Sequence, residues 1–329
     1  FTPAHKAFSI DSLIDKNLKS DIVPAWSLYV LRFQLSIVYF FGSITKMHPD
    51  WLSGYVLNRY ILNSESNFYI GLINNVLDVS ILSWIVVIFE FTIVPFLLWK
   101  KTRIYAIAIA LIFHGSNILL FNLTGFFPWF MLVATFLFVD PKGFRKLLYR
   151  FEYVRKKEVE LPTVDSSERI NPLPFFLLSM YVVTQLVIPL RQFYYPGDFR
   201  WTEEGAKFSW DMYASHKSVT VEPSFTVYDR VGDTYIPVNF NNYMSLWSVN
   251  AVKVDFLAEP ALVQQFAHVI ADDYYADGYL DIEVTAEIIV SLNGHTPQYL
   301  FDPYYDLLQG NPTSFKRREW ITPYHGEYY

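Results

Sequence analysis

Long apolar segments constrain the fold of this chain more than any other feature of its sequence. A helix that crosses a bilayer needs roughly 20 predominantly apolar residues. The chain is 52% hydrophobic and has a mean hydropathy of +0.19, and these values predict an integral membrane protein. The fourth apolar segment is short and contains Pro128, which favours a tilted or broken helix. Five segments approach the spanning length: about 25–45, 80–98, 104–121, 126–139 and 172–190.

The charged residues divide the chain into two parts. From Asp198 onward the sequence contains 8 Lys and Arg against 19 Asp and Glu, a net charge of −11, whereas the preceding part carries +5. Beyond Asp198, short runs of β-branched and aromatic residues flank a turn at Gly232 and Asp233, and the segment 281–294 alternates with period two, as antiparallel strands do. The sequence therefore predicts a membrane α-helical bundle in residues 1–197, followed by an extracytoplasmic, β-rich α+β domain in residues 198–329.

The distribution of lysine and arginine predicts the orientation of this multi-pass protein. The 99–103 connection contains three basic residues, and the stretch 142–157 contains seven. Two spans separate these stretches, so both lie on one side, which the positive-inside rule assigns to the cytoplasm. One further crossing places the C-terminal domain outside, and the same count places the end of the first span outside too. Because the chain begins with Phe1 rather than Met, we expect upstream spans to be missing.

Lys46 ends the first apolar segment, where the chain enters a polar turn. Desolvation at such a position favours the uncharged amine, which makes Lys46 a candidate base. The alternative interpretation is a lysine that extends its ammonium group from the helix end to water, the commonest role of lysine at a membrane interface.

Polar side chains inside the apolar segments are further candidates, since ionisable residues at membrane depth are often functional. His114 and Asn117 are three residues apart in the third segment and therefore neighbours on one helix. Their imidazole and amide groups can hydrogen-bond a ligand oxygen, or they can join helices structurally. Arg32 and Glu90 lie in the first two segments, and we expect a structural ion pair because burying either charge alone is costly.

The composition and motifs argue against several classes of chemistry. The chain has no cysteine, which excludes disulfides, thiol chemistry and thiolate metal sites. It shows no phosphate-binding glycine loop and no convincing cluster of metal ligands. It also lacks a basic run interleaved with aromatic residues in its C-terminal half, so neither a metal nor a nucleic acid partner is predicted.

Several motifs, taken in order, resemble the vitamin K-dependent γ-glutamyl carboxylase family, whose membrane part is shared with a wider group of bacterial proteins that carry a horizontally transferred transmembrane (HTTM) domain. The resemblance covers nearly the whole chain. Each motif alone is weak evidence, but the order of the motifs across both parts of the chain makes the resemblance specific. The motifs are LRFQLSIVYFFGSITKMHPDW (31–51), FHGSNILLFNLTGFFPWFML (113–132), FSWDMYASHKS (208–218), IIVSLNG (288–294) and FDPYYDLLQ (301–309).

The resemblance implies a reaction and its substrates. In the family, reduced vitamin K is deprotonated by an enzyme base and oxygenated by O2, and the strong base so formed removes a γ-proton from a glutamyl side chain, which then adds CO2. The quinone leaves as the epoxide. The implied partner is a glutamate-containing protein or peptide, and neither a metal nor biotin is required.

The resemblance also assigns roles to residues. Lys46 matches the lysine that acts as the neutral amine base, and His114 and Asn117 become candidates to hydrogen-bond the hydroquinone oxygens. His5 resembles a family region near the quinone, and Lys6 is the alternative match at this position. The stretch associated with the glutamate substrate and the quinone contributes Trp210, Asp211 and His216.

The sequence departs from the family pattern at two places, and two alternative functions remain. The register shifts slightly around His216, and Ala206 stands where an aromatic residue is expected, which bears on substrate preference. Asn293, Asp302 and Asp306 are interpreted as turn and cap residues. The alternatives to a carboxylase are a membrane quinol oxygenase without carboxylation, and a non-enzymatic membrane binding or assembly protein.

Overall fold

The structure is a computed structural model. It describes residues 10–15, 25–63, 71, 78–120, 126–140, 172–240, 242–243, 254–310 and 316–326. His5 and Lys6 lie outside the described residues. The chain forms two compact units, which we call the helical unit (Phe1–Ile44, Ile61–Leu77 and Trp84–Leu186) and the sheet unit (Thr45–Tyr60, Asp78–Ser83 and Val187–Tyr329).

Helices occupy all five apolar segments of the sequence. Those that are long and apolar enough to cross a membrane are Ala25–Lys46, Val79–Leu98 and Pro172–Phe193, whereas Arg103–Leu119 and Phe126–Phe138 are shorter. The α-helices are α1 (Ile10–Ile14), α2 (Ala25–Lys46), α3 (Pro49–Leu52), α4 (Tyr55–Asn63), α5 (Val79–Leu98), α6 (Arg103–Leu120), α7 (Phe126–Ala134), α8 (Pro172–Val187), α9 (Phe199–Thr202) and α10 (Pro260–Ala276). Short 3-10 helices follow α7 (Thr135–Phe138) and α8 (Ile188–Phe193), and a third precedes α10 (Val254–Ala258).

Aromatic packing and a few polar contacts hold the helical unit together. The rings of Phe89 on α5 and Phe113 on α6 stack with centroids 4.0 Å apart. Tyr181 of α8 donates a hydrogen bond to the side chain of Gln34 on α2. Helix α8 has no buried residue although it is apolar around its circumference, the pattern of a helix that faces lipid.

The sheet unit contains two small antiparallel sheets. One has the strand order β1–β5–β6 and the other β3–β2–β4, and the two neighbours β4 and β5 are separated by one residue, Ile288. The strands are β1 (Lys217–Val219), β2 (Ser224–Asp229), β3 (Thr234–Pro237), β4 (Ile282–Glu287), β5 (Ile289–Leu292) and β6 (Gln298–Tyr299). Alternate residues of β4 are buried, which explains the period-two pattern in the sequence.

The core of the sheet unit forms where α10 packs against β4. Phe266 of α10 is 1% exposed, and its ring lies edge-on to Phe225, Phe240 and Tyr243, with centroids 5.0 to 5.6 Å apart. Edge-to-face aromatic clusters of this kind contribute beyond the area they bury. This core fixes the two sheets and hence the loops that carry the candidate site.

The predicted fold class is confirmed: apolar helices come first and a sheet-containing α+β domain follows. The turn at Gly232 and Asp233 joins β2 to β3. The domain boundary between residues 197 and 198 stays a prediction. By packing, the sheet unit begins at Val187 and also includes Thr45–Tyr60, the segment that starts with the last turn of α2.

Candidate functional site

Lys46 is the last residue of α2 and is only 5% exposed. Its Nζ lies 5.5 Å from the centroid of the Trp51 ring, within the range of a cation–π contact when the amine is protonated. The Trp51 indole is itself buried, and its Nε1 donates to the Ser83 carbonyl at 3.4 Å. A snorkelling lysine keeps its nitrogen in water, whereas this side chain lies along a buried aromatic ring.

Asp211 lies within electrostatic range of Lys46, and its carboxylate accepts a hydrogen bond from the side chain of Thr45. Its Oδ1 is buried and has no hydrogen-bond partner among the described residues. Burial raises the pKa of Asp211 to about 6, and the negative charge of Glu203 adds to the rise, while Lys46 and Arg200 oppose it. A carboxyl group with this pKa changes its protonation state close to neutral pH.

The backbone around Asp211 is strained. Phe208, Trp210 and Tyr213 have φ angles of 66°, 61° and 57°, a region that bulky residues rarely adopt. Each costs roughly 1–2 kcal/mol relative to ordinary backbone, and such residues concentrate at functional sites. The Nε1 of Trp210 is also buried without a hydrogen-bond partner among the described residues. The FSWDMYASHKS stretch therefore combines strain with two unsatisfied polar atoms on adjacent residues.

A hydrogen-bond network connects the turn after Lys46 to the stretch that contains His216. The Oδ2 of Asp50 accepts from Asn293 Nδ2 at 2.8 Å and from His295 Nε2 at 2.9 Å. Asn293 also accepts from the His216 backbone N–H through Oδ1 and donates its own N–H to the His216 carbonyl, both at 2.8 Å. Asn293 follows β5 in a turn, with φ 53°, so its interpretation as a turn residue captures only part of its contacts.

Two further side chains fix the stretch 213–216. The Nε2 of His48 donates to the Ala214 carbonyl at 2.9 Å, and the hydroxyl of Tyr60 donates to the Ser215 carbonyl at 2.7 Å. Burial lowers the pKa of His48, and the positive charge of Arg200 adds to this effect. His48 is therefore held neutral in a position where it donates to the backbone.

A cleft of about 260 Å³ adjoins His216. The Tyr60 ring lies edge-on to His216, with centroids 5.5 Å apart. The lining includes one guanidinium, two imidazoles and several hydroxyl groups, a set that suits a carboxylate ligand. The cleft is lined by Arg59, His216, Ser218, Thr220, Ser291, Gly294, His295 and Pro297.

His114 belongs to the helical unit, where it forms a buried polar pair with Tyr39. The Tyr39 hydroxyl lies 2.6 Å from His114 Nε2, and both residues are 3% exposed. Tyr39 is also hydrogen-bonded to the side chain of Thr135, which is fully buried. Asn117, one helical turn beyond His114, is half-buried. The sequence reasoning did not identify Tyr39, although a hydroxyl inside the apolar run IVYFF was an available signal.

Arg32 contacts a backbone carbonyl and aromatic rings. Its Nε donates to the Leu137 carbonyl at 2.9 Å, and its guanidinium lies 5.7 Å from the centroid of Phe138. The guanidinium also lies 5.9 Å from the centroid of the Tyr29 ring. The Arg32–Glu90 ion pair stays a prediction.

Comparison with known families agrees with this arrangement. Residues 1–142 match the model of the HTTM domain, and residues 170–327 match the model described as vitamin K-dependent gamma-carboxylase, lumenal domain. No solved structure matches the chain. Fold and site thus define a membrane protein with an apolar helical region, a lumenal C-terminal domain and a buried lysine at the end of a spanning helix. The chain belongs to the vitamin K-dependent γ-carboxylase family.

Proposed function

We propose that this protein is a vitamin K-dependent γ-carboxylase, which converts reduced vitamin K to its epoxide and couples this step to the carboxylation of glutamyl side chains. The observation that carries the proposal is the burial of Lys46, at 5% exposure, against Trp51 and close to Asp211. Burial disfavours the ammonium form of a lysine, and an uncharged amine is the form that can accept a proton.

The residues around Lys46 fit a ligand that carries a hydroxyl group. The indole Nε1 of Trp210, the residue directly before Asp211, is a donor that is buried without a partner among the described residues. A hydroxyl oxygen can accept a hydrogen bond from such an N–H while its own proton stays available to a base. Reduced vitamin K, once bound, supplies the strong base that the carboxylation needs, through its oxygenation by O2.

Lys46 has one step in this proposal: its Nζ takes the proton of the hydroquinone hydroxyl. The Trp51 ring covers the amine, and the lysine side chain is buried, which limits competition from water for the proton transfer. Asp50, Asn293 and His295 hold the turn after Lys46 in place through the network described above. The Tyr39–His114 pair is a second candidate for hydroquinone recognition.

We assign the glutamyl substrate to the cleft beside His216. A γ-carboxylate can accept hydrogen bonds from the guanidinium of Arg59 and from the imidazole of His216. The substrate is a glutamate-containing protein or peptide, and CO2 is the co-substrate. We further propose that the protein crosses the membrane several times and that this chemistry takes place on the extracytoplasmic side.

The test is an assay of the membrane-embedded full chain with hydroquinone, a glutamate-containing peptide and labelled bicarbonate. We expect wild type to produce both epoxide and labelled peptide, and Lys46→Ala to lose both. Lys101→Ala, which changes an exposed lysine in the connection between α5 and α6, is the matched control and should keep both.

The two products separate the competing functions. Epoxide without fixed label in wild type would favour a quinol oxygenase that has lost carboxylation. If wild type produced neither product, the non-enzymatic alternative would gain support. Unchanged turnover in Lys46→Ala would rule out Lys46 as the base even if the protein is a carboxylase.

A further inference from the structure

A buried base has to release the proton that it takes before it can act again. Lys46 is 5% exposed and lies along the Trp51 ring, so its surroundings offer little direct access to water. Repeated turnover therefore needs a neighbouring group that accepts the proton from the ammonium form of Lys46. The proposed function does not specify this group.

Asp211 is placed to be that group. Its carboxylate is within electrostatic range of Lys46 and is anchored by the side chain of Thr45, the residue directly before the lysine. The anchoring bond uses part of the acceptor capacity of the carboxylate, while Oδ1 is buried and has no hydrogen-bond partner among the described residues. An unsatisfied carboxylate oxygen in this position is an available proton acceptor.

The charges around Asp211 make it suitable for transient protonation. Burial and the charge of Glu203 raise its pKa to about 6, while Lys46 and Arg200 act in the opposite direction. The positive charge of Arg200 is not devoted to Asp211, because its guanidinium pairs with Asp198 at 2.8 Å and also interacts electrostatically with Asp50. Asp211 can therefore bind a proton and release it again near neutral pH.

We propose that Asp211 receives the proton which Lys46 removes, so that Lys46 and Asp211 form a two-step proton relay. In the first step the hydroxyl O–H bond breaks and an N–H bond forms on Nζ, giving an ammonium group. In the second step an N–H bond of the ammonium breaks and an O–H bond forms on Asp211, which restores the neutral amine. The carboxylic acid then loses its proton to solvent, and no oxidant or reductant is consumed in these transfers.

This proposal rests on the proposed function, and the first experiment separates the two steps by kinetics. Asp211→Asn keeps the size of the side chain but cannot accept the proton. We expect a first turnover, measured as epoxide per enzyme, at close to the wild-type rate, followed by steady-state turnover that is lower by roughly 10²-fold. Asp281→Asn, which changes an exposed carboxylate paired with Arg230, is the control and should behave as wild type.

Chemical rescue distinguishes a proton carrier from a structural residue. Asp211→Ala opens space for a small carboxylate, and we expect added formate to restore steady-state turnover in this variant and to leave Asp281→Ala unchanged. Steady-state turnover of Asp211→Asn at the wild-type level would overturn the relay. An equal loss in the first and later turnovers, without rescue by formate, would overturn it as well.

A measurement that needs no turnover tests the coupling itself. We expect an infrared carboxylic-acid band that is present in wild type, absent in Asp211→Asn, and titrates near pH 6. In Lys46→Ala the band should titrate at higher pH, because the ammonium form of Lys46, which lowers the pKa of Asp211, can no longer form. A titration that Lys46→Ala does not change would refute the relay even in a protein without carboxylase activity. If wild type lacks turnover while the band shifts as expected, the proposed function fails and the coupled pair stands.

Discussion

Replacing Asp211 with Asn should make the protein more stable at neutral pH, although it removes a charged residue from the candidate site. The pKa of Asp211 is raised to about 6 from its ordinary value of 3.8, so the folded state binds the proton more tightly than the unfolded state does. Stability contributed by such a group is fully present below the unfolded pKa and is lost as the pH rises through about 6. Asn is permanently neutral and avoids this loss.

The magnitude follows from the shift. A rise of about two pH units corresponds to about 3 kcal/mol at 1.36 kcal/mol per unit. For a unit of this size, 1 kcal/mol changes the melting temperature by roughly 2–4 °C. Asp211→Asn should therefore melt roughly 6–12 °C above wild type at pH 8, and the difference should vanish as the pH falls below the unfolded pKa.

The assay is thermal unfolding of the full chain in detergent, followed by intrinsic fluorescence between pH 4 and pH 8. Asp281→Asn provides the matched control, since its exposed carboxylate should change stability by less than about 0.5 kcal/mol at any of these pH values. The reasoning is refuted if Asp211→Asn melts below wild type at pH 8. It is equally refuted if its advantage does not depend on pH.

Two further substitutions test one polar network in each of the two units. Asn293→Ala removes the hydrogen bonds to Asp50 and to the His216 N–H and should lower the free energy of unfolding by about 2–4 kcal/mol. Asn293→Gly loses the same bonds but tolerates φ 53°, so it should cost about 1 kcal/mol less. Equal melting temperatures of the two variants would contradict this. Tyr39→Phe removes the hydroxyl bonded to His114 and should raise the KM for hydroquinone more than it lowers kcat. The control Tyr29→Phe, at an exposed position, should change neither constant. A Tyr39→Phe enzyme with the wild-type KM would argue against a role of His114 in quinol recognition.

Much of the fold could be predicted from the sequence because its signals are local. The apolar length of α2 and α5 marks two helices that are long enough to cross a membrane, without reference to any partner. The alternation along the segment 281–294 identifies β4 and β5, because one face of a strand is buried and the other is not. What alternation does not reveal is that these consecutive strands belong to different sheets, since strand pairing depends on distant partners.

The candidate site was less accessible to sequence reasoning because its contacts are distant in sequence. Asp50 meets Asn293 and His295 across 243 and 245 residues, and no local pattern indicates such a contact. Lys46 was identified by its position at the end of an apolar segment and Asp211 by family resemblance, but their proximity was not predicted. Arg32 is a further example: its hydrogen bond to the Leu137 carbonyl joins residues 105 positions apart, and no signal in the sequence indicated this contact.

The distribution of unfavourable features argues that the 208–218 stretch is selected for activity rather than stability. Three bulky residues at positive φ, two unsatisfied polar atoms and a carboxylate with a raised pKa occur within six consecutive positions. Each feature destabilises the fold by about 1–3 kcal/mol, and ordinary packing would not retain all of them together. The network of Asn293, His48 and Tyr60 supplies the stabilisation that keeps this segment in place. Removing a costly group should therefore stabilise the protein and impair turnover, whereas removing an anchoring group should impair both, and this difference in sign tests whether the strain has a function.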